Sequence, residues 1–302
     1  MAAGLLGIEG LGRDEIEAIL TRAKDFQPMQ DHAFKRLDVL RGRMIVNLFF
    51  EASTRTRTSF EIAAKRLGAD AISITAAGSS VSKGESLVDT LNTLAAMRPN
   101  AIVMRHAASG APHFLARHLP IPIINAGDGT HEHPTQALLD ARTILDNLPT
   151  LEGLRVAIIG DIAHSRVARS NVHLLAKFGV DIVLCGPASL VPAELAQIAP
   201  GVRISYDMCE AIRDADVIMM LRVQLERQHE TAFPAGEYFQ FYGLRLEHLQ
   251  LAKPNVLVMH PGPINRGREI ASEVADSQRS VILNQVENGV AVRMAVLERI
   301  LG

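Results

Sequence analysis

The chain predicts an α/β protein: two doubly wound parallel-sheet domains with helices on both faces and an active site in the interdomain cleft. Three observations carry that expectation. Short apolar runs alternate with amphipathic segments from end to end, the rhythm of strand–helix–strand units that build parallel sheets. A length of 302 residues suits two cores of roughly 150 residues each. A polar break, Asp146-Asn147-Leu148-Pro149-Thr150-Leu151-Glu152-Gly153, ends one helix and precedes a new strand. Residues 1–148 are therefore expected to form one domain and 149–283 the other, with a last helix, 284–302, packing back on the first.

Residues 13–25 combine helical apolar spacing with an acidic first turn. The apolar run from Met44 to Phe50 reads as a buried parallel strand. It leads into Glu51-Ala52-Ser53-Thr54-Arg55-Thr56-Arg57-Thr58-Ser59-Phe60, after which Phe60, Ile62, Ala63, Ala64 and Leu67 recur at helical spacing. Ser53 or Thr54 is the N-cap candidate at this strand-to-helix turn. A helix N-terminus exposes N–H groups and a partial positive charge. With two hydroxyls and a guanidinium added, it makes a phosphate pocket without a glycine-rich loop. Arg55 and Arg57 stand about 200° apart around such a helix and cannot both face one ligand. Arg55 is assigned to the ligand and Arg57 to a structural ion pair; a capped helix with solvated arginines is the plainer alternative.

A short strand over 71–74 precedes Ala76 to Glu85, a small, polar stretch almost without apolar anchors. It reads either as a linker or as a loop that settles when an anion meets Lys83. A helix is expected over 86–97 and strands over 101–105 and 121–125. Arg105 stands at the carboxyl end of its strand, the edge where parallel sheets bind ligands, although an arginine can also tie off a sheet edge. Gly127-Asp128-Gly129-Thr130-His131-Glu132-His133-Pro134-Thr135-Gln136 follows. Proline favours the first helical turn, so a helix starting at Pro134 presents His133 and Gln136 at its N-terminal end. His131 and His133 share HxH spacing, but no third ligand is spaced nearby and Pro134 breaks any strand. No metal is expected.

In the second half, strands are expected over 154–159, 180–184, 202–205, 216–221 and 255–259, and helices over 166–178, 191–198 and 208–214. Gly160 stands alone where a dinucleotide fingerprint needs three glycines, and Arg166 fills the turn, which argues against a nicotinamide cofactor. No other cofactor is indicated. The strand end instead delivers Arg166 to the cleft. Arg222 and Gln224 leave the 216–221 strand at alternate positions and can face one site. Residues 228–245 read as a long loop that moves on binding. The turn His260-Pro261-Gly262-Pro263 holds backbone carbonyls toward the interdomain space. In the last helix, the stripe Val286, Val290, Met294, Leu297, Ile300 and Leu301 is expected to be core.

Composition narrows the function. With 48% hydrophobic and 21% charged residues, the chain falls among soluble globular proteins. A net charge of −2 leaves no basic excess to neutralise a nucleic acid. No apolar run approaches the length of a membrane span. The stretch Met1 to Asp14 lacks a secretory pattern. Cys185 and Cys209, without CxxC spacing, read as buried or free thiols of a reducing compartment, so the cytoplasm is the expected location.

Ser53-Thr54-Arg55-Thr56-Arg57, followed by Ser59-Phe60, resembles the carbamoyl-phosphate signature of the aspartate/ornithine transcarbamoylases. His133-Pro134-Thr135-Gln136 continues the match, which runs to the Pro-Gly-Pro turn and covers nearly the whole chain. Lys83, Arg222-Val223-Gln224 and a His-Pro-Gly-Pro turn without the cysteine of ornithine-type His-Cys-Leu-Pro imply the aspartate branch. The reaction implied is carbamoyl transfer from carbamoyl phosphate to L-aspartate, an early step of pyrimidine synthesis. Ornithine is the alternative, and Arg222 would repel its cationic side chain.

The resemblance also implies roles. Ser53, Thr54, Arg55 and Thr56 hold the phosphate; Thr56, Arg105 and His133 surround the carbonyl oxygen; Gln136 orients the carbamoyl nitrogen; Gly262 and Pro263 add contacts from the backbone. Arg166 takes the α-carboxylate of aspartate, and Arg222, Gln224 and Lys83 the β-carboxylate. A homotrimer with shared sites is implied, Ser79 and Lys83 coming from the neighbouring chain, with a regulatory chain or dihydroorotase-like protein as possible partner. A non-catalytic anion- or amino-acid-binding relative is the other alternative, and such a relative should have lost a member of this set.

Overall fold

A computed structural model describes residues 4–27, 37–75, 87–223 and 235–302. The chain divides into two compact units, Met1–Arg142 together with Val286–Gly302, and Thr143–Gln285. Each is a parallel sheet with interleaved helices. Ser79, Lys83 and Gln224 lie outside the described residues, as does the stretch 76–85.

The first unit runs α1 (Arg13–Phe26), β1 (Met44–Phe49), α2 (Thr54–Arg66), β2 (Asp70–Thr75), α3 (Leu87–Ala96), β3 (Ala101–His106), α4 (Ala111–Ala116), β4 (Ile123–Asp128) and α5 (Pro134–Asn147), whose last residues belong to the second unit. Its sheet order is β2-β1-β3-β4, all parallel. The inner strands β1 and β3 are almost continuously buried, which is why their sequence is apolar without alternation. At the edge, β2 exposes Asp70 and half of Ile72. Register pairs Phe49 with Arg105, so the turn into α2 and the end of β3 lie side by side. The N–H of Phe50 donates to the Arg105 carbonyl at 2.9 Å, extending that pairing into the turn.

The second unit runs β5 (Arg155–Ile159), α6 (Arg166–Ala176), β6 (Asp181–Cys185), a 3₁₀ turn (Ala193–Gln197), β7 (Arg203–Ser205), α7 (Met208–Ile212), β8 (Val217–Met220), α8 (Ala235–Tyr242), β9 (Leu257–Met259) and α9 (Ser272–Ala275). Its five parallel strands are ordered β7-β6-β5-β8-β9. The reading of 228–245 as one long loop is corrected: Ala235–Tyr242 is helical, and its Tyr238 side chain is buried beside Leu190 and Val223. Tyr238 and Tyr242, on successive turns of that helix, pack together there, which is what makes this part helical.

The last helix, α10 (Ile282–Leu301), joins the first unit over its length from Val286. Gln27 Nε2 donates to Asn288 Oδ1 at 2.6 Å, Arg22 Nη2 to Glu298 Oε1 at 2.7 Å, and Arg299 pairs with Glu15. Of the stripe read from spacing, Met294, Leu297 and Leu301 are buried and Val290 and Ile300 half-buried, and Ala291, Val292, Ala295 and Val296 widen the buried face. Val286 is 49% exposed, because the first turn of the helix presents it to solvent.

Arg293 is the most unusual residue of this helix. Its guanidinium is fully buried, lies over the Phe60 ring at 5.1 Å, and donates through Nη1 to Ser59 Oγ and the Gly289 carbonyl, both at 2.9 Å. Burial pushes its pKa down to about 10 while the Asp140 carboxylate opposes the shift. Ser59→Ala removes an acceptor from this buried cation. We expect a loss of about 1–2 kcal/mol, read as a lower urea midpoint at unchanged m-value. An unchanged midpoint would mean that Ser59 does not serve the cation.

Candidate functional site

Three loops gather at the carboxyl edge of the first sheet, because its parallel strands all end there. The loop after β1 enters α2 at Ser53, an extended N-cap with φ −160° whose side chain makes no capping bond. Ser53 thus leaves the first N–H groups of α2 uncapped by its own side chain, which suits that helix end to an anion. Thr56 is buried one turn in, whereas Thr54 and Arg55 are exposed. Arg57 is half-buried on another face of the helix, and the ion pair expected of it is not formed with any described residue. Glu61, one turn further along α2, is instead taken by the Ser73 hydroxyl.

Arg105, at the end of β3, is half-buried. It donates through Nη1 to the Ala126 carbonyl at 3.2 Å and faces Glu51 at 3.5 Å. The sheet thus aims a guanidinium into the gap between two loops, with a carboxylate from the α2 approach holding one side of it. Sequence reading missed Glu51, since nothing in its local pattern distinguishes it from a solvated acid.

The loop after β4 is built on two buried polar side chains. Asn125 Nδ2 donates to Asp128 Oδ1 at 2.8 Å and to the Leu6 carbonyl at 2.9 Å. Asp128 also accepts from the backbone N–H of Gly110 at 2.6 Å and of Glu132 at 3.1 Å. Gly129 sits at φ +47°, where a Cβ would come within 2.3 Å of Ser109 Oγ, so only glycine fits the turn. These anchors deliver His133, 4% exposed, to the start of α5, where its carbonyl accepts the N–H of Gln136 at 3.0 Å. Gln136 gives its amide Nε2 to Asp140 at 2.9 Å. That bond fixes the carboxamide and leaves its Oε1 as the acceptor for an incoming N–H.

The HxH pair is not brought together as a metal site. His131 instead approaches His113 and Asp128, with ligand atoms of the three within 4.8 Å of one another. The Asp128 oxygens already accept the N–H groups of Gly110, Asn125 and Glu132 and face His131 Nδ1 at 3.0 Å. The carboxylate is thereby committed to shaping the loop.

In the second unit the carboxyl ends of β5, β8 and β9 are neighbours. Ser165 caps α6, its side chain accepting the Ala168 N–H at 3.1 Å, and so starts the helix at Arg166, which is 6% exposed. Asp161 is fully buried in the same loop and takes His164 Nδ1 at 2.8 Å. Arg222 follows β8, half-buried. Gly160, at φ +144°, packs so tightly on Leu221 that a Cβ would meet Leu221 Cβ at 2.8 Å. The lone glycine therefore serves the close approach of two strand ends. After β9 comes His260, 1% exposed, then Pro261-Gly262-Pro263 with a cis bond between Gly262 and Pro263.

Each unit thus presents arginines and a helix start at the carboxyl edge of a parallel sheet, the equipment of a protein that handles anionic ligands. Residues 4–146 match the model for the carbamoyl-phosphate-binding domain of aspartate/ornithine carbamoyltransferases, and residues 152–300 the model for their Asp/Orn-binding domain. A protein from Solibacter usitatus, an aspartate carbamoyltransferase catalytic subunit, is 82% identical over 302 residues, covering 100% of both chains. The aspartate transcarbamoylase of Trypanosoma cruzi, solved with carbamoyl phosphate and aspartate, superposes with a TM-score of 0.89 at 32% identity, over 100% of this chain and 96% of that one. The ornithine carbamoyltransferase of Pyrococcus furiosus reaches 0.90 at 31% identity, over 100% and 97%. The chain belongs to the aspartate/ornithine carbamoyltransferase family.

Among the described residues no helix is long and apolar enough to cross a membrane. Both cysteines are free: Cys185 is buried, with its thiol pushed up to about 12 by desolvation, and Cys209 is exposed.

Proposed function

We propose that this chain transfers the carbamoyl group of carbamoyl phosphate to the amine of L-aspartate, giving N-carbamoyl-L-aspartate and phosphate. The observation that carries the choice of aspartate is the 82% full-length identity with an aspartate carbamoyltransferase catalytic subunit. Superposition does not decide it, since an aspartate and an ornithine enzyme fit almost equally well.

In this reading Ser53, Thr54, Arg55 and Thr56 bind the phosphate on the N-terminus of α2. Thr56, Arg105 and His133 hold the carbonyl oxygen and stabilise the oxyanion. Gln136 Oε1 accepts from the carbamoyl NH₂, with Gly262 and Pro263 adding backbone contacts. Arg166 takes the α-carboxylate of aspartate, and Arg222, Gln224 and Lys83 the β-carboxylate. The amine nitrogen attacks the carbonyl carbon, the bond from that carbon to the phosphate oxygen breaks, and the departing phosphate accepts the amine proton. Placement and electrostatics supply the rate, with no carboxylate base required. The same reading places the protein in the cytoplasm and in pyrimidine synthesis.

Incubation with carbamoyl phosphate and either aspartate or ornithine tests it directly. Carbamoyl-aspartate is the expected product; carbamoyl-ornithine alone, or no product, overturns it.

We also propose a homotrimer in which Ser79 and Lys83 serve the neighbouring chain's site. An Arg55→Ala chain and a Lys83→Ala chain, each nearly inactive, should complement when dissociated, mixed and reassembled. Roughly a quarter of sites then draw both intact residues from adjacent chains. Verified mixed trimers as inactive as the parents would show that Lys83 serves its own chain.

A further inference from the structure

We propose that His260 and Glu269 are positioning residues for the carbamoyl transfer, acting through the Pro261-Gly262-Pro263 turn. The proposal rests on the reading of Gly262 and Pro263 as backbone contacts of carbamoyl phosphate, and it gives a task to a histidine that the mechanism leaves idle.

Both side chains are fully buried, and they meet with His260 Nε2 3.2 Å from Glu269 Oε1. The other ring nitrogen, Nδ1, accepts the backbone N–H of Gly262 at 2.8 Å. An amide N–H can only donate, so Nδ1 must present a lone pair and the ring proton must sit on Nε2, directed at the carboxylate. Glu269 Oε1 also accepts the N–H of Asn265 at 2.6 Å. With two donors on one oxygen, the carboxylate is the acceptor form, and the imidazole is neutral with a defined tautomer. One short chain of bonds therefore ties the middle of the turn and the segment just after it to a single carboxyl group: Glu269 to Asn265 directly, and Glu269 through the ring to Gly262.

The anchors of this chain are themselves fixed. The His260 N–H donates to Gln285 Oε1 at 2.9 Å, and Gln285 is 2% exposed at the start of α10. The Glu269 carbonyl accepts the N–H of Leu244 at 3.0 Å, and Leu244 and the adjacent Ile270 belong to the apolar core of the second unit. The pair thus ties the turn at Gly262 to a packed core. Such support matters because a displacement of about 1 Å at reacting groups can cost roughly 100-fold in rate.

His260→Leu keeps bulk but removes the acceptor for Gly262. We expect kcat to fall about 10- to 100-fold, while binding of inorganic phosphate, assigned to first-unit residues, stays within about twofold. His260→Asn, whose Oδ1 can stand near the lost Nδ1, should recover at least about tenfold of that loss. Glu269→Gln retains an Oε1 acceptor for both donors and should keep kcat within about threefold. Wild-type turnover in His260→Leu overturns the proposal. So does a loss of more than about 30-fold in Glu269→Gln, which would assign the carboxylate a role through its charge. Should His260→Leu not fold, the Asn and Gln variants decide: failure of either to stay active in a folded protein counts against positioning. A parent enzyme without carbamoyl-aspartate activity would defeat the functional reading itself, an outcome separate from all of these.

Discussion

Arg55→Ala should lower turnover by about 100-fold or more while the protein keeps its fold. The expected scale is that of one charge-stabilising donor removed from a transition state, about 2.7 kcal/mol or more. Arg55 stands exposed in the first turn of α2, and alanine is the best helix former, so the substitution removes a cation without weakening the helix. If the guanidinium meets charge that grows as the phosphate departs, kcat falls more than carbamoyl-phosphate binding does. Steady-state kinetics beside direct phosphate binding separates the two. Turnover within about twofold of the parent would remove Arg55 from the mechanism.

Arg222→Ala should act on the other substrate. An arginine–carboxylate pair lost from a ligand site costs about 2–3 kcal/mol, roughly 30- to 150-fold in kcat/KM for aspartate. Carbamoyl-phosphate affinity should stay within about threefold, because its proposed contacts with Ser53 to Thr56, Arg105, His133 and Gln136 are untouched. Arg222 follows the buried Leu221 at the end of β8, and truncating its half-buried side chain leaves the Gly160–Leu221 contact in place. Equal loss for both substrates would make Arg222 a support of the fold instead.

Much of the architecture was legible in the residues because central parallel strands are buried on both faces. Runs such as Met44–Phe49 and Val217–Met220 are nearly all apolar, and no amphipathic helix imitates them. The helix Ala111–Ala116 was not legible: six residues with a proline in the first turn are too few for periodicity to show. Ala235–Tyr242 escaped because its pattern is aromatic rather than aliphatic and its buried partners, Leu190 and Val223, are remote in sequence.

The site divides in a similar way. Arg105, Arg166 and Arg222 stand out as cations at strand ends, where sequence order alone locates the carboxyl edge. The groups that hold such residues do not stand out. Glu51 beside Arg105, Arg293 against Ser59, and Glu269 with His260 become visible only when distant segments meet. For Arg57, helical geometry separates it from Arg55, but the spacing carries no information about a partner.

The helix α10 has a consequence for the order in which a nascent chain acquires structure. Its residues from Val286 complete the first unit, yet the whole of Thr143–Gln285 is made before them. At ~5–20 residues per second, the ribosome needs roughly 7–30 s to cross that segment. Throughout that interval Phe60 lacks the guanidinium that will cover it, and Ser59 and Gln27 lack their partners on α10. The second unit, continuous in sequence, can fold on emergence, whereas the first must wait for the last stretch to leave the exit tunnel. Chains truncated before Val286 and released from the ribosome should therefore show a protease-sensitive first unit beside a resistant second one, the opposite of the order in which most of their residues were synthesised.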